Sequence, residues 1–114
     1  METVGRFAPS PSGRLHLGNL LCALLVWLSA RQKGGRVLLR VEDLDTARCP
    51  RRYGQQMEQD LRWLGLDWDI GPGKDGGTGP YEQSRRTAVY QAALEKLQGI
   101  THTTLRLWPE LLKL

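Results

Sequence analysis

Apolar positions recur in two rhythms along the chain, and their succession predicts an α/β protein. Thr3 to Phe7 reads as a short strand, and Ala8 to Gly18 follows with Pro9, Pro11, Gly13 and Gly18 precluding regular structure. From Asn19, a candidate N-cap, to about Lys33 the period is helical, and Gly34-Gly35 stops it. Leu20, Leu21, Leu24, Leu25 and Leu28 form one stripe that Val26 and Trp27 widen, which predicts a helix buried on more than one side. Arg36 to Val41 alternates, with Val37, Leu39 and Val41 on one face and Arg36, Leu38 and Arg40 on the other. Pro50 opens a second helix carrying Tyr53, Met57, Leu61 and Leu64 before Gly65. Gly71 to Pro80 holds five glycines and two prolines in ten residues and is expected to be a flexible connector. Ser84 to Gln98 is a third, amphipathic helix ending at Gly99.

Two strands bridged by a helix of this length form a βαβ unit, so parallel pairing is expected. The fold class is therefore α/β with parallel strands. Open parallel sheets bind ligands outside the carboxyl ends of their strands. Here those ends are Arg6 to Ser12 and Glu42 to Asp45, both rich in polar side chains.

Composition narrows the setting more than the function. The chain has 114 residues, 40% apolar and 25% charged, which is ordinary for one globular domain. Its longest apolar run, Leu20 to Leu28, is too short to cross a membrane, where about 20 residues are needed. No basic stretch leading into an apolar one marks a secretory signal, and Cys22 and Cys49 alone make no disulfide framework. A cytoplasmic protein without a membrane partner is expected. Residues 1–57 carry nine Lys/Arg against four Asp/Glu, whereas residues 58–114 carry seven against eight. The first half is thus where phosphates or a nucleic acid would be drawn.

The loop from Pro9 to Asn19 runs directly into the first helix, whose free N–H groups and dipole favour phosphate. His16 stands just ahead of that terminus, placed to steady charge developing on a phosphate; an idle loop histidine is the alternative. Glu42, Asp43 and Asp45 offer three carboxylates in four residues, fit for a metal, a ribose hydroxyl or an amine. For Asp43 and Asp45 the competing reading is a turn that caps the next segment. Glu42 lies on the Arg40 face, beside the first loop, where it would hold a ligand amine. Arg6 is the matching cation, able to take a carboxylate through two parallel hydrogen bonds. Arg6 and Glu42 would clasp an amino acid by both charged groups, or pair with each other.

Together these residues resemble the catalytic domain of the class I glutamyl and glutaminyl aminoacyl-tRNA synthetases. The resemblance rests on four stretches in order: Arg6 to Gly13 with Leu15-His16-Leu17-Gly18, a HIGH-type signature; Arg40 to Asp45; Trp63 to Asp69; and Gly79 to Arg86 with Tyr90. Within the family it is similar to the glutamyl-queuosine tRNA-Asp synthetases. Asn19 to Leu24 lacks the Arg-Thr-Ala-Leu of full glutamyl synthetases, and Ser12 replaces threonine. The resemblance implies a partial Rossmann-like nucleotide-binding domain with parallel strands, part of a ligase that activates glutamate with ATP and magnesium and transfers it to tRNA, tRNA-Asp in this subgroup. It further implies that Arg6, Phe7, Ala8, Pro9, Ser10 and Glu42 bind glutamate. Pro9, Ser10, Pro11, Ser12, Gly13, His16, Gly18 and Asn19 would bind ATP, with His16 catalytic.

The match covers residues 1–98 as the N-terminal half of such a domain and leaves residues 99–114 as an unmatched tail. The KMSKS-type second signature has no counterpart in the sequence, and Ile100 to Thr104 stands where the family has a Cys-x-Cys pair, so no zinc is expected. Three readings result: a glutamate-activating synthetase fold of the queuosine or standard glutamyl type, a non-catalytic nucleotide-binding fragment, and a generic nucleotidyltransferase. A further consequence expected of the missing signature is that the chain alone activates glutamate poorly.

Overall fold

The computed structural model describes residues 2–98; the expected tail, 99–114, lies outside the described residues. Strand β1 (Val4–Phe7) leads through the first loop into helix α1 (Leu17–Arg31), which crosses back to strand β2 (Arg36–Leu39). The two strands pair in parallel, Val4 opposite Arg36 through Phe7 opposite Leu39, as the βαβ pattern requires. A tight helix–strand crossing makes this possible. A Cβ on Gly5 would stand 3.0 Å from both Val26 Cγ1 and Ala30 Cβ, so glycine lets α1 lie closer to β1 than a residue with a side chain would. Gly34 then takes φ +64°, a conformation other residues reach at a cost, and turns the chain into β2.

The core lies on one face of this pair. Val37 and Leu39, the inward row of β2, pack with Ala23 and Ala30 of α1 and with Met57 and Leu61 of helix α2 (Arg51–Trp63). Leu66 and Trp68 close the cluster. The far edge of β2 and the chain just after it are occupied by two single bridges: Leu39 N–H donates to the Ile70 carbonyl (2.8 Å), and Val41 N–H to the Tyr81 carbonyl (2.9 Å). After a 3₁₀ turn (Gln83–Arg86) comes helix α3 (Thr87–Gln98).

Three expectations need correction. Helix α1 begins at Leu17, with His16 as N-cap, so Asn19 sits in its first turn and does not cap it. The leucine stripe is not buried: Leu21 is 54% and Leu25 57% exposed, and only Ala23 and Ala30 of α1 are buried. Small residues face the sheet because β1 approaches too closely for leucine, and the large ones are left pointing outward. The Gly71 to Pro80 segment holds no helix or long strand, yet it is a closed turn. Gly71 and Lys74 exchange both backbone hydrogen bonds (2.8 and 2.9 Å), and the buried Tyr81 hydroxyl accepts from Gly76 N–H (2.6 Å) and donates to Asp75 (3.1 Å).

Candidate functional site

The carboxyl ends of β1 and β2 are joined by backbone: Arg40 N–H donates to the Phe7 carbonyl and Glu42 N–H to the Pro9 carbonyl, each at 2.9 Å. This brings the first loop against Glu42. Ser10, Ser12 and Glu42 line one cavity of about 450 Å³ together with Leu44, Asp45 and Gln83.

Glu42 is the best-held group of the site. Arg6 Nη2 donates to its Oε1 at 3.1 Å, and Arg40 Nε lies 2.9 Å from the same oxygen. The Arg6–Glu42 pair left open by the sequence is thus formed. Both guanidiniums bear on Oε1, and among the described residues Oε2 accepts no hydrogen bond. One oxygen is anchored and the other is free for a donor. Arg6 is 59% exposed, so its pairing is weak enough to be exchanged for a ligand carboxylate.

The other expected residues fall into distinct places. Pro11 is fully buried and Phe7 packs on the core, so neither presents its side chain to the cavity. Gly13 and Gly18 have no atom within 4 Å of where a Cβ would stand, which leaves open space at the loop backbone. His16 and Asn19 are exposed at the start of α1, and His16 is not among the residues lining the Glu42 cavity. No side chain caps that helix and no acid occupies its first turn, so its leading N–H groups face outward without a protein acceptor from a cap.

Asp45 takes the turn reading, whereas Asp43 makes a long-range tie that the turn reading does not include. Asp43 is buried and accepts from the Ser84 N–H (2.9 Å) and hydroxyl (2.8 Å), tying the site loop to the 3₁₀ turn. Asp45 Oδ1 accepts from the N–H groups of Ala47 (3.2 Å) and Arg48 (3.1 Å), closing a turn. Among the described residues no group of three His, Cys, Asp or Glu side chains is arranged to hold a metal.

Sequence reasoning missed the frame that ties α1 to the start of β2. Arg31, at the end of α1, donates to Asp69 (2.7 Å) and Asp67 (3.0 Å), and Trp27 Nε1 donates to Asp67 (2.8 Å). Asp69 also accepts from the Val37 N–H at 2.7 Å, so one carboxylate holds α1 and β2 together. The Trp27 hydrogen bond, with Arg31, holds the Asp67 carboxyl below its ordinary range. Burial pushes the Asp69 carboxyl up, but the Val37 N–H and Arg31 outweigh it and leave it lowered. A second cavity of about 630 Å³, lined by Asp43, Gly54, Glu58 and Glu82 among others, was also unforeseen, and burial raises the Glu58 carboxyl there.

Comparison with known proteins follows the same lines. The family model for class I tRNA synthetases (E and Q), catalytic domain, matches residues 2–102. A glutamyl-Q tRNA(Asp) synthetase of Symbiobacterium thermophilum is 58% identical over 95 residues, which are 83% of this chain and 29% of that protein. A glutamate–tRNA ligase 2 of Acidithiobacillus ferrooxidans is 51% identical over 99 residues, 87% of this chain and 20% of the relative. The crystal structure of a glutamate tRNA ligase from Elizabethkingia meningosepticum in complex with its amino acid superposes with a TM-score of 0.78 at 37% identity. That match covers 87% of this chain and 20% of the other. The chain therefore spans between a fifth and a third of the length of these relatives. Its parallel βαβ fold is that of a partial Rossmann-like class I domain, and the chain belongs to the class I tRNA synthetases for Glu and Gln through their catalytic domain.

Proposed function

We propose that this chain carries the glutamate and ATP subsites of an enzyme that activates glutamate and transfers it to tRNA, in the manner of the glutamyl-queuosine tRNA-Asp synthetases. The observation that carries the reading is the Glu42 carboxylate, held at Oε1 by two arginines with Oε2 left for a ligand amine. Arg6 would exchange part of that contact for a ligand carboxylate, and Ser10 lines the same cavity. Phe7, Ala8 and Pro9 supply backbone to the glutamate subsite. The stretch Pro9, Ser10, Pro11, Ser12, Gly13, His16, Gly18 and Asn19 takes ATP, entering as its magnesium complex, at the uncapped start of α1.

In the first step a carboxylate oxygen of glutamate attacks the α-phosphorus of ATP. A P–O bond forms, the bond to the bridging oxygen breaks, and pyrophosphate leaves. His16, as a hydrogen-bond donor beside the helix start, faces the charge that grows on the phosphate. Positioning supplies most of the effect, since two bound reactants need no further encounter. A hydroxyl of tRNA then attacks the glutamyl carbonyl and AMP leaves. The glutamyl-queuosine type is preferred over the standard glutamyl type for Ser12 and the Asn19 to Leu24 stretch. Under this reading residues 1–98 are the first half of the catalytic domain, 99–114 are a tail outside it, and the enzyme works in the cytoplasm.

The test is glutamate-dependent ATP–pyrophosphate exchange by the 114-residue chain and by the same chain joined to the remainder of a glutamyl-Q relative. The joined protein is expected to exchange with glutamate and with no other amino acid. The chain alone is expected to be slower by more than about 10²-fold, because donors on the far side of the phosphate are missing. Exchange by the joined protein that ignores the amino acid, or its complete absence, would overturn the assignment.

A further inference from the structure

Glu42 can serve an amine only if its carboxylate keeps one orientation, and the structure shows a device for this outside the residues assigned so far. Arg40 Nη2 donates to the Tyr90 hydroxyl of α3 at 2.8 Å, across 50 positions of sequence. The Arg40 Nε lies 2.9 Å from Glu42 Oε1, yet it is buried and makes no aligned hydrogen bond to it or to any other group described. The attraction between Arg40 and Glu42 is therefore a close charge pair without a directional bond of its own. What fixes the guanidinium plane is the bond to Tyr90. Arg6 does not replace it, because its side chain is 59% exposed against 23% for Arg40.

We propose that Tyr90, acting through Arg40, is a positioning residue for Glu42: it keeps Oε1 engaged and Oε2 turned toward the amine of the bound amino acid. The inference rests on the reading of Glu42 as the amine ligand. Phenylalanine at position 90 keeps the ring and its packing while freeing Arg40 to rotate. The carboxylate then follows Arg40, and the amine loses its acceptor.

Two ligands separate positioning from a general loss of structure: L-glutamate, and glutarate, which has the same two carboxylates and no amine. Tyr90→Phe is expected to weaken glutamate about fivefold and to leave glutarate within about twofold. Arg40→Lys, which keeps the charge and loses the planar donor set, is expected to behave alike. A ligand-free readout accompanies these, the ¹³C shift of the Glu42 carboxyl carbon, which both substitutions are expected to move at unchanged melting temperature. Equal weakening of the two ligands, or an unmoved Glu42 carboxyl signal, would overturn the proposal. If the unsubstituted chain binds neither ligand, the amine-subsite reading fails separately. The carboxyl shift alone then decides whether Tyr90 positions Glu42, a moved signal supporting it and a fixed one refuting it.

Discussion

Glu42→Gln is expected to weaken L-glutamate binding by about 10- to 100-fold while leaving the fold intact. Glutamine keeps the length and one carbonyl oxygen but removes the charge proposed to meet a ligand ammonium. A hydrogen bond to a charged group contributes about 1.5–3 kcal/mol, and each 1.4 kcal/mol is tenfold in affinity. The fold is expected to survive because Glu42 is about a fifth exposed, and its position depends on the backbone bond to Pro9 at 2.9 Å. Calorimetric titration with glutamate and with glutarate checks this. The loss should appear with glutamate and be nearly absent with glutarate, and an equal loss for both would detach Glu42 from the amine.

The second large effect is on stability, and it falls far from the site. Asp69→Ala removes the acceptor shared by Arg31 (2.7 Å) and the Val37 N–H (2.7 Å); the Val37 N–H is left unmatched where α1 meets β2, while Arg31 keeps the Gly35 carbonyl (3.2 Å) and Asp67 (3.0 Å). The expected cost is about 2–3 kcal/mol, a large part of the 5–15 kcal/mol typical of a small domain. Melting should fall by about 10 °C or more. Asp67→Ala, at a position 61% exposed, is expected to cost less than about 1 kcal/mol. Both carboxyls lie below their ordinary range in the folded chain, so the unfolded chain binds more protons in acid and stability rises with pH there. Their contribution is complete above the ordinary carboxylate range, about pH 4, and is lost as pH falls through the lowered values. Urea midpoints across this range are expected to drop for the parent chain and to drop less for Asp69→Ala.

How much was legible in the sequence follows from the range of each interaction. The alternation of Arg36 to Val41 placed Val37 and Leu39 inward and Arg40 and Glu42 on the opposite face, because a strand's period is set locally. Gly34 and Gly35 marked the end of α1 for the same reason. The start of α1 was misread because Asn19 is a good cap by type, whereas the helix begins at Leu17 with no side-chain cap at all. Periodicity located the leucine stripe but not its partner. Residue type cannot show that Gly5 draws α1 in through Val26 and Ala30 and turns the leucines outward.

The site divides along the same line. Its carboxylates and loop were visible as motifs, but the pairing of Arg6 with Glu42 was one of two open choices until the strands were in register. The Arg40–Tyr90 bond and the Arg31–Asp69 bond join residues 50 and 38 positions apart, and no local pattern announces either. In the sequence Tyr90 stands only as the last residue of a motif.

We propose that the carboxyl ends of β1 and β2 form an amino-acid subsite around Glu42. Backbone amide shifts of the labelled 114-residue chain, followed during titration with L-glutamate, test it most directly. Saturable changes centred on Arg6, Ser10 and Glu42, spreading to Arg40 and Tyr90, are expected. Changes centred on Gly54 and Glu58 in the larger cavity, or no saturable change at high millimolar glutamate, would contradict it.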